Sequence, residues 1–439
     1  MSIQTQIDRI LANIAAAYTA AQSKGAIMPD VQDSEHLSDC ILSIQCVEVI
    51  PYLTFSSPGS FTLAVNDATK HWNGTLEYST DTSTWSTWDG TTTLSSATSG
   101  SDNVLYLRGT GNTVITGDSS NYKWILTGSD ISCIGNIENL LDYTTVKSRA
   151  HPTMASHCYR NMFNGCTSLI KAPDLPATTL IDNCYDSMFR GCTSLTQAPA
   201  LPATTLVGYC YYSMFNGCTS LTQAPALPAT TLAERCYYSM LCNCTSLTNA
   251  PALPATTLAT SCYLNMFRGC TNLTQAPTLP ATTLARDCYG YMFYGCASLT
   301  QAPTLPATTL YTNCYEYMFY GCTSLTNAPA LPATTLAGSC YKYMFSGCIS
   351  LTHIPALPAT TLATYCYQYM FQKCSKIKLS KTKTGEYTVA YRIPTAGTGT
   401  TANNALSSMF TITGGTFKGT PTINTTYYLS NTNTVVPAA

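Results

Sequence analysis

The sequence has few charged residues and no long apolar run. Lys, Arg, Asp and Glu make up 10% of its 439 residues, well below the usual quarter. The formal net charge is −1, and no run of Lys or Arg provides the basic surface that nucleic acids or anionic membranes require. No stretch approaches the roughly 18 uninterrupted apolar residues of a membrane span. We therefore expect neither a nucleic-acid partner nor insertion into a membrane.

Catalytic patterns are also missing. The five histidines are scattered, at His36, His71, His151, His157 and His353, and no Ser-His-Asp or Cys-His arrangement is indicated. Carboxylates are few, and none recurs at a position that would face a cleft. Paired acids for glycoside cleavage are the one arrangement that distant positions could still supply. The sequence therefore predicts a protein that is not an enzyme and carries no cofactor and no metal.

The first 25 residues lack the features of a secretory signal peptide. They have no basic n-region, and Asp8, Arg9 and Asn13 interrupt the only apolar stretch. A chain with 22 cysteines and no export signal is expected to fold in a reducing cytosol. A disulfide framework is therefore not the default expectation.

Cysteine is abundant, and it occurs in pairs that recur at one period. Nine cysteines are spaced 26 residues apart: Cys158, Cys184, Cys210, Cys236, Cys262, Cys288, Cys314, Cys340 and Cys366. Each has a partner eight residues later: Cys166, Cys192, Cys218, Cys244, Cys270, Cys296, Cys322, Cys348 and Cys374. Nine copies at a period of 20–29 residues predict a leucine-rich-repeat-like α/β solenoid, in which each coil buries its apolar face against its neighbours.

One coil, residues 314–336, reads CYEYMFYGCTSLTNAPALPATTL. Apolar residues at offsets 0, 4, 5 and 8 predict a helix of about two turns that ends near Gly321. The prolines make LTNAPALP extended. They also limit strand pairing to one to three residues per coil, before or between the prolines. The residues predicted to face the core are Cys314, Met318, Phe319, Cys322, Leu325, Leu331 and Leu336.

The paired cysteines occupy positions suited to small buried hydrophobes. Free cysteine is among the most buried residue types, so we interpret the pairs as reduced core thiols. Disulfides within or between coils remain an alternative. Zinc is a weaker one, because C-x7-C is not a metal-binding spacing and no histidine accompanies it. The additional Cys242 is predicted to point outward and to be incidental.

The run MFxGCTSLTxAPxLPATTL resembles the BspA-like leucine-rich repeats of bacterial surface proteins and of phages that infect gut bacteria. The resemblance covers residues from about 150 to 380 and recurs nine times. It implies a right-handed solenoid used for adhesion or recognition. It brings no catalytic residue with it, because the family motif contains none.

The N-terminal segment has a heptad pattern. Its seam residues are Ile3, Ile7, Ile10, Ile14, Ala17 and Ala21. Isoleucine at both seam positions favours three or more strands, which predicts a homotrimer. A helix packed on its own domain is the alternative. The opening IxxNIxxAYTxxxxKGAxMP resembles that of tail and other virion proteins of phages that infect gut bacteria, which implies that other virion proteins bind this end.

The regions that flank the repeats differ in composition. We predict an N-terminal helical anchor (1–48), a small β-sandwich (49–130), the solenoid (131–380) and a β-rich C-terminal cap (381–439). The stretch LEYSTDTSTWSTWDG resembles a β-module that often accompanies BspA-like repeats. Trp72, Trp85, Trp88 and Trp124 in the sandwich suit core packing, with a sugar-stacking platform as the alternative.

A comparison of the nine copies shows where residues vary. APxLPATTL barely changes, whereas residues vary just before the first cysteine, before Met-Phe and before Gly-Cys. The first of the two positions before Met-Phe holds Arg160, Asp186, Tyr212, Tyr238 and Leu264 in the first five coils. The side chains at the variable positions are predicted to project outward. Rigid, amphipathic tyrosine suits binding surfaces, although it could instead cover the seams between coils. The candidate binding residues are Tyr291, Tyr294, Tyr311, Tyr317, Tyr320, Tyr343, Tyr365 and Tyr369.

These features together predict an attachment protein. The favoured interpretation is a phage tail-fibre, tail-tip or head-fibre subunit, located in the virion after assembly in the host cytoplasm. Its solenoid would recognise a glycan or protein on the host surface. The alternative is a BspA-like adhesin on a bacterial cell surface.

Overall fold

The structure of the chain, a computed structural model, describes residues 11, 13–19, 49–119 and 121–438. The chain divides into two compact units, Met1–Ile50 and Pro51–Ala439. Within the described residues, no helix has both the length and the apolar composition needed to cross a membrane.

Only part of the predicted heptad can be located. Residues 13–19 are helical, and Ile14 is half-buried. Ile3, Ile7 and Ile10 lie outside the described residues. The predicted trimer seam therefore stays a prediction.

Two sheets form the region before the repeats. Their strands are β1 Leu53–Ser57, β2 Thr62–Val65, β3 Thr75–Ser79, β4 Ser86–Trp88, β5 Leu94–Ser95, β6 Ala97–Ser99, β7 Asp102–Thr110, β8 Trp124–Thr127 and β9 Ile131–Ile134. The larger sheet has the order β9-β1-β7-β3-β4, with β6 also on β7, and the smaller one has the order β5-β2-β8. Trp88 of the larger sheet contacts Trp124 of the smaller one, with ring centroids 5.6 Å apart. Alternating apolar residues thus fill a core between the sheets.

The first coil is built directly onto this β-module. Its strand β10 (Leu169–Lys171) extends the larger sheet by pairing in parallel with β9. Backbone bonds continue the contact: the Trp124 N–H donates to Met162 O over 2.8 Å, and the Ile115 N–H donates to Cys158 O over 2.9 Å. The β-module therefore supplies the surface that covers the first coil.

Helix α1 (Asn139–Lys147) connects the module to the repeats and is interrupted near its start. Asp142 has non-helical φ and ψ of −154° and 98°. Its carboxylate accepts the N–H groups of Thr144 and Thr145 at 3.0 and 3.2 Å, so Asp142 caps the rest of the helix. Glu138 occupies the N-cap position of the whole helix but makes no side-chain cap bond.

The predicted helix in each coil is wrong, because CYxxMFxGC forms a run of tight turns. In the coil of residues 314–336, Asn313, Tyr317 and Gly321 have φ of 57°, 55° and 70°. A left-handed residue at every fourth position excludes a right-handed helix. Apolar residues at 0, 4, 5 and 8 fit a period of four as well as one of 3.6, which is why the spacing suggested a helix. The repeat region consists mainly of turns and short strands.

Alternate backbone N–H groups of each turn segment bond to different partners. The Phe319 N–H donates to Met344 O of the next coil over 2.9 Å, whereas the Met318 N–H donates to Tyr315 O of its own coil over 3.2 Å. The same alternation recurs in the other coils. Each coil therefore satisfies its backbone partly through its neighbour, so successive copies stack in sequence order.

Parallel bridges of single residues join the extended segments. One row passes through Lys171, Gln197, Gln223, Asn249, Gln275, Gln301, Asn327 and His353. These residues precede the first proline of their coils, which confirms that prediction. A second row includes Thr205–Thr231, Thr257–Thr283, Thr309–Thr335 and Thr335–Thr361. It follows the second proline, where no pairing was predicted. The last copies widen into strands β11 (His353–Pro355) and β12 (Thr361–Leu362).

Two aromatic rows fill the interior. The phenylalanines stack from coil to coil with centroids 5.5–5.7 Å apart, as in Phe293–Phe319 and Phe319–Phe345. The second row was not predicted: it holds Tyr159, Tyr185, Tyr211, Tyr237, Tyr263, Tyr289, Tyr315, Tyr341 and Tyr367, all buried. At about 100° per residue, position +1 from the first cysteine would lie on the same face of a helix as positions 0, +4, +5 and +8, and a period of four also turns it inward. Leu325 and Leu331 are buried as predicted, and Leu336 is half-buried.

The paired cysteines are core residues, as predicted. All twenty cysteines among the described residues are free and buried. The second cysteine of a coil donates its thiol to a carbonyl of the preceding coil, as from Cys322 Sγ to Phe293 O over 3.1 Å. Burial raises the pKa of the Cys218 thiol to about 12, so that it remains a protonated donor at neutral pH. Cys242, which was predicted to point outward, is also buried, at 6% exposed.

The C-terminal tail continues the stack. Its strands are β13 Lys378–Ser380, β14 Tyr387–Arg392, β15 Thr400–Thr401, β16 Gly414–Gly415, β17 Thr426–Ser430 and β18 Thr434–Val436. Four of them form a sheet in the order β14-β17-β13-β16, while β15 and β18 pair in parallel with β12 and β11. Asn404, Ser408 and Ile412 repeat the left-handed pattern with φ of 57°, 55° and 60°. Phe410 stacks on Phe371 at 5.5 Å, so the tail covers the last phenylalanine.

Candidate ligand-binding surface

The side chains that vary between coils lie along one side of the turn segments. We number positions from the first cysteine of each coil, which is position 0. Positions −1, +2, +3 and +6 contain the variable residues, and we call the surface that they form the turn face. The turns direct inward positions 0, +1, +4 and +8, which are invariant, and position +5, which is Phe in all coils but the fourth. Variation is thereby confined to side chains that the core does not need.

Six of the eight predicted tyrosines form one stacked cluster on this face. Tyrosines at position +3 stack on one another, and so do the two at +6. The centroid distances are 4.6 Å for Tyr291–Tyr317, 4.5 Å for Tyr317–Tyr343, 4.5 Å for Tyr343–Tyr369 and 4.6 Å for Tyr294–Tyr320. The two columns also touch, with Tyr317 and Tyr320 5.6 Å apart. We call this set the tyrosine cluster.

The other two predicted tyrosines lie outside these columns. Tyr311 is at position −3 and is 50% exposed, and Tyr365 is at position −1 and is 38% exposed. Lys342 Nζ lies 5.9 Å from the ring centroids of both Tyr343 and Tyr365. Tyr365 is thus linked to the cluster through the Lys342 ammonium group, whereas Tyr311 lies outside both columns and is more exposed.

Stacking decides which parts of the rings a ligand could reach. Neighbouring rings in the +3 column are within 15° of parallel, so each inner ring covers the faces of the next. Edges and hydroxyls remain available to a ligand. The cluster therefore suits hydrogen bonding along a row of hydroxyls better than face-on stacking of sugars.

The tyrosines at +3 have an unfavourable backbone conformation. Tyr291, Tyr317, Tyr343 and Tyr369 all have φ of 55–56°, a region that costs an ordinary residue about 1–2 kcal/mol. The first five coils place asparagine or serine at this position, and asparagine tolerates it better. Tyrosine at this position therefore needs a compensating interaction, which stacking supplies at least in part.

Burial also changes the acidity of the cluster. Desolvation raises the pKa of Tyr291 to about 12, and the nearby Glu316 contributes to the increase. The pKa of Tyr317 is raised for the same first reason, with Tyr291 and Tyr343 adding to it. These hydroxyls are therefore neutral at physiological pH and can both donate and accept hydrogen bonds.

The aromatic column changes position between the fifth and sixth coils. Tyr212 and Tyr238 stack at 4.7 Å in position +2, whereas from Tyr291 onward the column occupies +3. Gly290 holds position +2 at the change. A Cβ added there would lie 2.7 Å from Leu264 Cδ1, so Leu264 occupies the space that a larger residue would need.

The early coils form a groove that was not predicted from the sequence. It has a volume of about 420 Å³ and is lined by Arg160, Asn183, Asp186, Tyr209, Tyr212, Arg235, Tyr238, Ser261, Leu264 and Asp287. These residues belong to two columns, at positions −1 and +2. The sequence marks both positions as variable but does not reveal that they face each other. An alignment of the copies by position, with both columns read together, would have suggested the groove.

The charges of this groove are paired, either with one another or with adjacent residues. Arg160 Nε lies 2.9 Å from Asp186 Oδ2. Arg235 donates to the Tyr209 hydroxyl and lies 3.7 Å from Glu234. A strongly charged ligand would have to compete with these pairs, so the groove suits a neutral polar ligand better.

Asp186 does not project outward as predicted. It is 5% exposed, because Arg160 covers it and the Ser187 hydroxyl donates to it over 2.8 Å. Burial raises the pKa of this carboxyl, while Ser187 and Arg160 oppose the increase. Asp186 is thus a buried residue at a variable position, and its ion pair with Arg160 links the second coil to the first.

Three of the four tryptophans are core residues. Trp72, Trp88 and Trp124 are 2% exposed or less, which confirms core packing over a sugar-binding platform for these three. Trp85 is half-buried, and the Arg108 guanidinium lies 3.9 Å from its ring centroid. Arg108 therefore covers part of the one tryptophan that remains accessible.

The structure offers little for metal or nucleophilic chemistry. Within the described ranges, no group of three or more His, Cys, Asp or Glu residues could hold a metal ion. Burial raises the pKa of the paired thiols, including those of Cys184 and Cys236 to about 12, which disfavours the nucleophilic thiolate.

Comparison with known proteins identifies the repeats. The BspA type leucine-rich repeat region matches residues 142–248, 230–378 and 288–424, in six copies. These ranges together cover more than half of the chain. No curated protein and no solved structure matches it. Repeats of this family generally form interaction scaffolds. By its sequence and its stacked copies, the chain is a member of the BspA-type leucine-rich-repeat family.

Proposed function

We propose that the protein is an attachment protein whose turn face recognises a glycan or protein on a bacterial surface. The observation that carries this proposal is the tyrosine cluster. Four tyrosines occupy left-handed positions where other coils have asparagine or serine. Strained residues are retained where surrounding interactions or function compensate for their cost.

The stack is proposed to be a right-handed solenoid, as in the resemblance described above. At about 4.8 Å per coil, nine coils would extend roughly 45 Å. The tyrosine cluster, at one end of this length, would offer rows of hydroxyls about 4.8 Å apart. Such a surface fits a repetitive ligand, such as a surface polysaccharide, that can bond to several coils at once.

The location that we favour is a phage virion, with the protein as a tail-fibre, tail-tip or head-fibre subunit. The support is the opening IxxNIxxAYTxxxxKGAxMP, which resembles virion proteins. In this proposal, residues 1–48 bind other virion proteins and form a homotrimer through Ile3, Ile7, Ile10 and Ile14. Mass photometry of the full chain beside one lacking residues 1–24 tests the trimer, and an equal number of subunits in both would exclude it.

The second candidate is an adhesin on a bacterial cell surface, which the adhesin-like character of the repeat family favours. Both candidates use the same turn face. Localising the protein with a specific antibody distinguishes them: label on purified particles supports the virion, and label on intact uninfected cells supports the adhesin.

Replacement of Tyr291, Tyr294, Tyr317 and Tyr320 by serine tests recognition. Binding to a glycan array and to a panel of bacterial cells should fall at least about tenfold, because tyrosines dominate such surfaces. The matched control replaces the exposed Thr282, Thr308, Thr334 and Thr360 of the ATTL segments by serine. Equal binding by the tyrosine variant and the control would remove the turn face from the proposal.

A further inference from the structure

A cavity lies where helix α1 meets the first coil, away from the variable positions of the turn face. Its volume is about 320 Å³. It is lined by Glu138, His151, Pro152, Thr153, Met154 and residues 177–181. The later coils cover their ATTL segments with the preceding copy, but the first coil has the segment after α1 in that place. The segment after α1 therefore forms one side of the cavity, and the ATTL segment of the first coil forms the other.

A buried carboxylate forms one wall of the cavity. Glu138 is 1% exposed, although an isolated buried carboxylate is costly unless paired. It occupies the N-cap position of α1 without capping the helix through its side chain. Helix capping therefore does not explain the presence of an acidic residue here.

The pairing of this carboxylate leaves acceptor capacity unused. Both Glu138 oxygens lie within hydrogen-bond distance of the same atom, His151 Nδ1, at 3.0 and 2.8 Å. An ionised carboxylate can accept about four hydrogen bonds. In the part of the chain that the structure describes, no other side chain donates to it. The His151 side chain is 57% exposed, so this single partner stands at the opening rather than inside.

The remaining walls are mostly apolar. Met154, Leu180 and Ile181 lie beside the carboxylate. A single acidic group at an apolar wall matches a ligand with a cationic head and a hydrocarbon body. An ammonium group has three donors, which could fill the vacant acceptor positions and provide a permanent opposite charge.

We propose that this cavity binds a primary ammonium group on a short, unbranched hydrocarbon stem, with Glu138 as its counter-ion. Both free alkylamines and the side chain of an accessible lysine in another protein have this chemistry. The site differs from the turn face, so the proposed recognition function can fail without affecting it.

Calorimetric titration of the full chain with n-butylammonium tests the site, with n-butanol and butyrate as neutral and anionic comparisons. Saturable binding of the ammonium alone is expected. Glu138→Gln should weaken it about tenfold or more, because the charge-assisted bonds are lost. A second titration with Nα-acetyl-lysine N-methylamide separates the two sources: binding at least as tight as that of n-butylammonium assigns the site to lysine side chains.

A second pair of variants keeps the test valid if Glu138→Gln fails to fold. Thr178→Trp fills the mouth of the cavity from an exposed position and leaves Glu138 intact, so it should abolish binding. Thr204→Trp is the matched control, at the equivalent exposed position of the next coil, and should bind like the parent. The proposal is overturned if n-butanol binds as tightly as n-butylammonium, if Thr178→Trp binds normally, or if no probe saturates.

Discussion

The first five coils and the last four have the same interior but different turn faces. In both sets, Cys, Tyr and Met rows are buried at the same positions. On the outside, the early coils carry stacked aromatic residues at +2, whereas the late coils carry stacked tyrosines at +3 and +6. Ion pairs occur at +2 in both sets, as in Arg160–Asp186 and Glu316–Lys342. The bonds that recur between coils in both sets involve the main chain and the buried thiols, whereas ion pairs such as Arg160–Asp186 are specific to particular coils. Most outer residues can therefore change without altering how the coils stack.

The junction between the two sets shows how the change is accommodated. Gly290 leaves room for Leu264, and the aromatic column moves by one residue at that point. One residue without a side chain thus stands between the stacked aromatic residues at +2 and the tyrosine cluster. The two sets of coils can therefore evolve specificity for different ligands while they keep the same interior.

The largest expected effect is the unfolding of both sets of coils together at alkaline pH. Burial raises the pKa of thiols such as Cys184 and Cys236 to about 12 in the folded chain. Below the unfolded value of about 8.5, both states are protonated and stability is fully present. As pH rises from there toward the folded pKa, only the unfolded state ionises, which costs about 1.4 kcal/mol per thiol per pH unit. With so many buried thiols, we expect unfolding within about two units above 8.5.

Circular dichroism against pH measures this transition, and hydrogen exchange resolves it by region. Peptides from coils one to five and six to nine should lose protection at the same pH, since both contain the cysteine rows. A chain that stays folded at strongly alkaline pH, or halves that open at clearly different pH, would contradict the shared interior. Added salt is the control, because it screens surface charges but not buried thiols.

Truncation of single phenylalanines tests whether the interiors of the early and late coils are packed alike. Phe319→Ala in a late coil should lower the free energy of unfolding by about 3–5 kcal/mol, and Phe189→Ala in an early coil should have a similar effect. Leucine naturally replaces phenylalanine in the fourth coil, at Leu241, so Phe319→Leu is the mild control. Denaturant titration measures all three. A large difference between the two alanine variants would show that the halves are not packed alike.

The smallest effect is expected at the junction. Gly290→Ala places a methyl group 2.7 Å from Leu264 Cδ1, which should cost about 1 kcal/mol and less once Leu264→Ala is added. Gly338→Ala is the matched control, because its nearest atom would be Thr364 O at 3.6 Å. Thermal unfolding of the single and double variants measures the coupling. If the two substitutions changed stability additively, the contact with Leu264 would not be the reason that the aromatic column moves from +2 to +3.

The architecture was largely accessible from the sequence, but the local conformation was not. The period of 26, the buried cysteines and the bridge before the first proline follow from spacing and from proline stereochemistry. The turn conformation of CYxxMFxGC could not be predicted in this way, because apolar residues at positions 0, 4, 5 and 8 fit a period of 3.6 and a period of four. The buried row that includes Tyr315 was missed although its position falls on the core face under either period. Asparagine, serine and glycine at every fourth position were the signal for left-handed turns.

The candidate surface was predictable only in part. Variation among copies located the tyrosine cluster, because outer residues escape the constraints of packing. It did not show that stacking hides the ring faces, nor that Asp186 is buried beneath Arg160. Both depend on distances between coils that no single copy encodes. Glu138 was missed because it lies outside the repeat and has no counterpart in it.

The alternation of backbone donors has a consequence for how such chains change in length. Each copy offers the preceding one the same set of carbonyl acceptors, so the joint between any two copies is chemically equivalent. Recombination that adds or deletes a whole copy leaves every amide with a partner. Deletion of only part of a copy would leave several backbone N–H groups without an acceptor. Gene variants should therefore differ by multiples of 26 codons, with the surface lengthened or shortened in discrete steps.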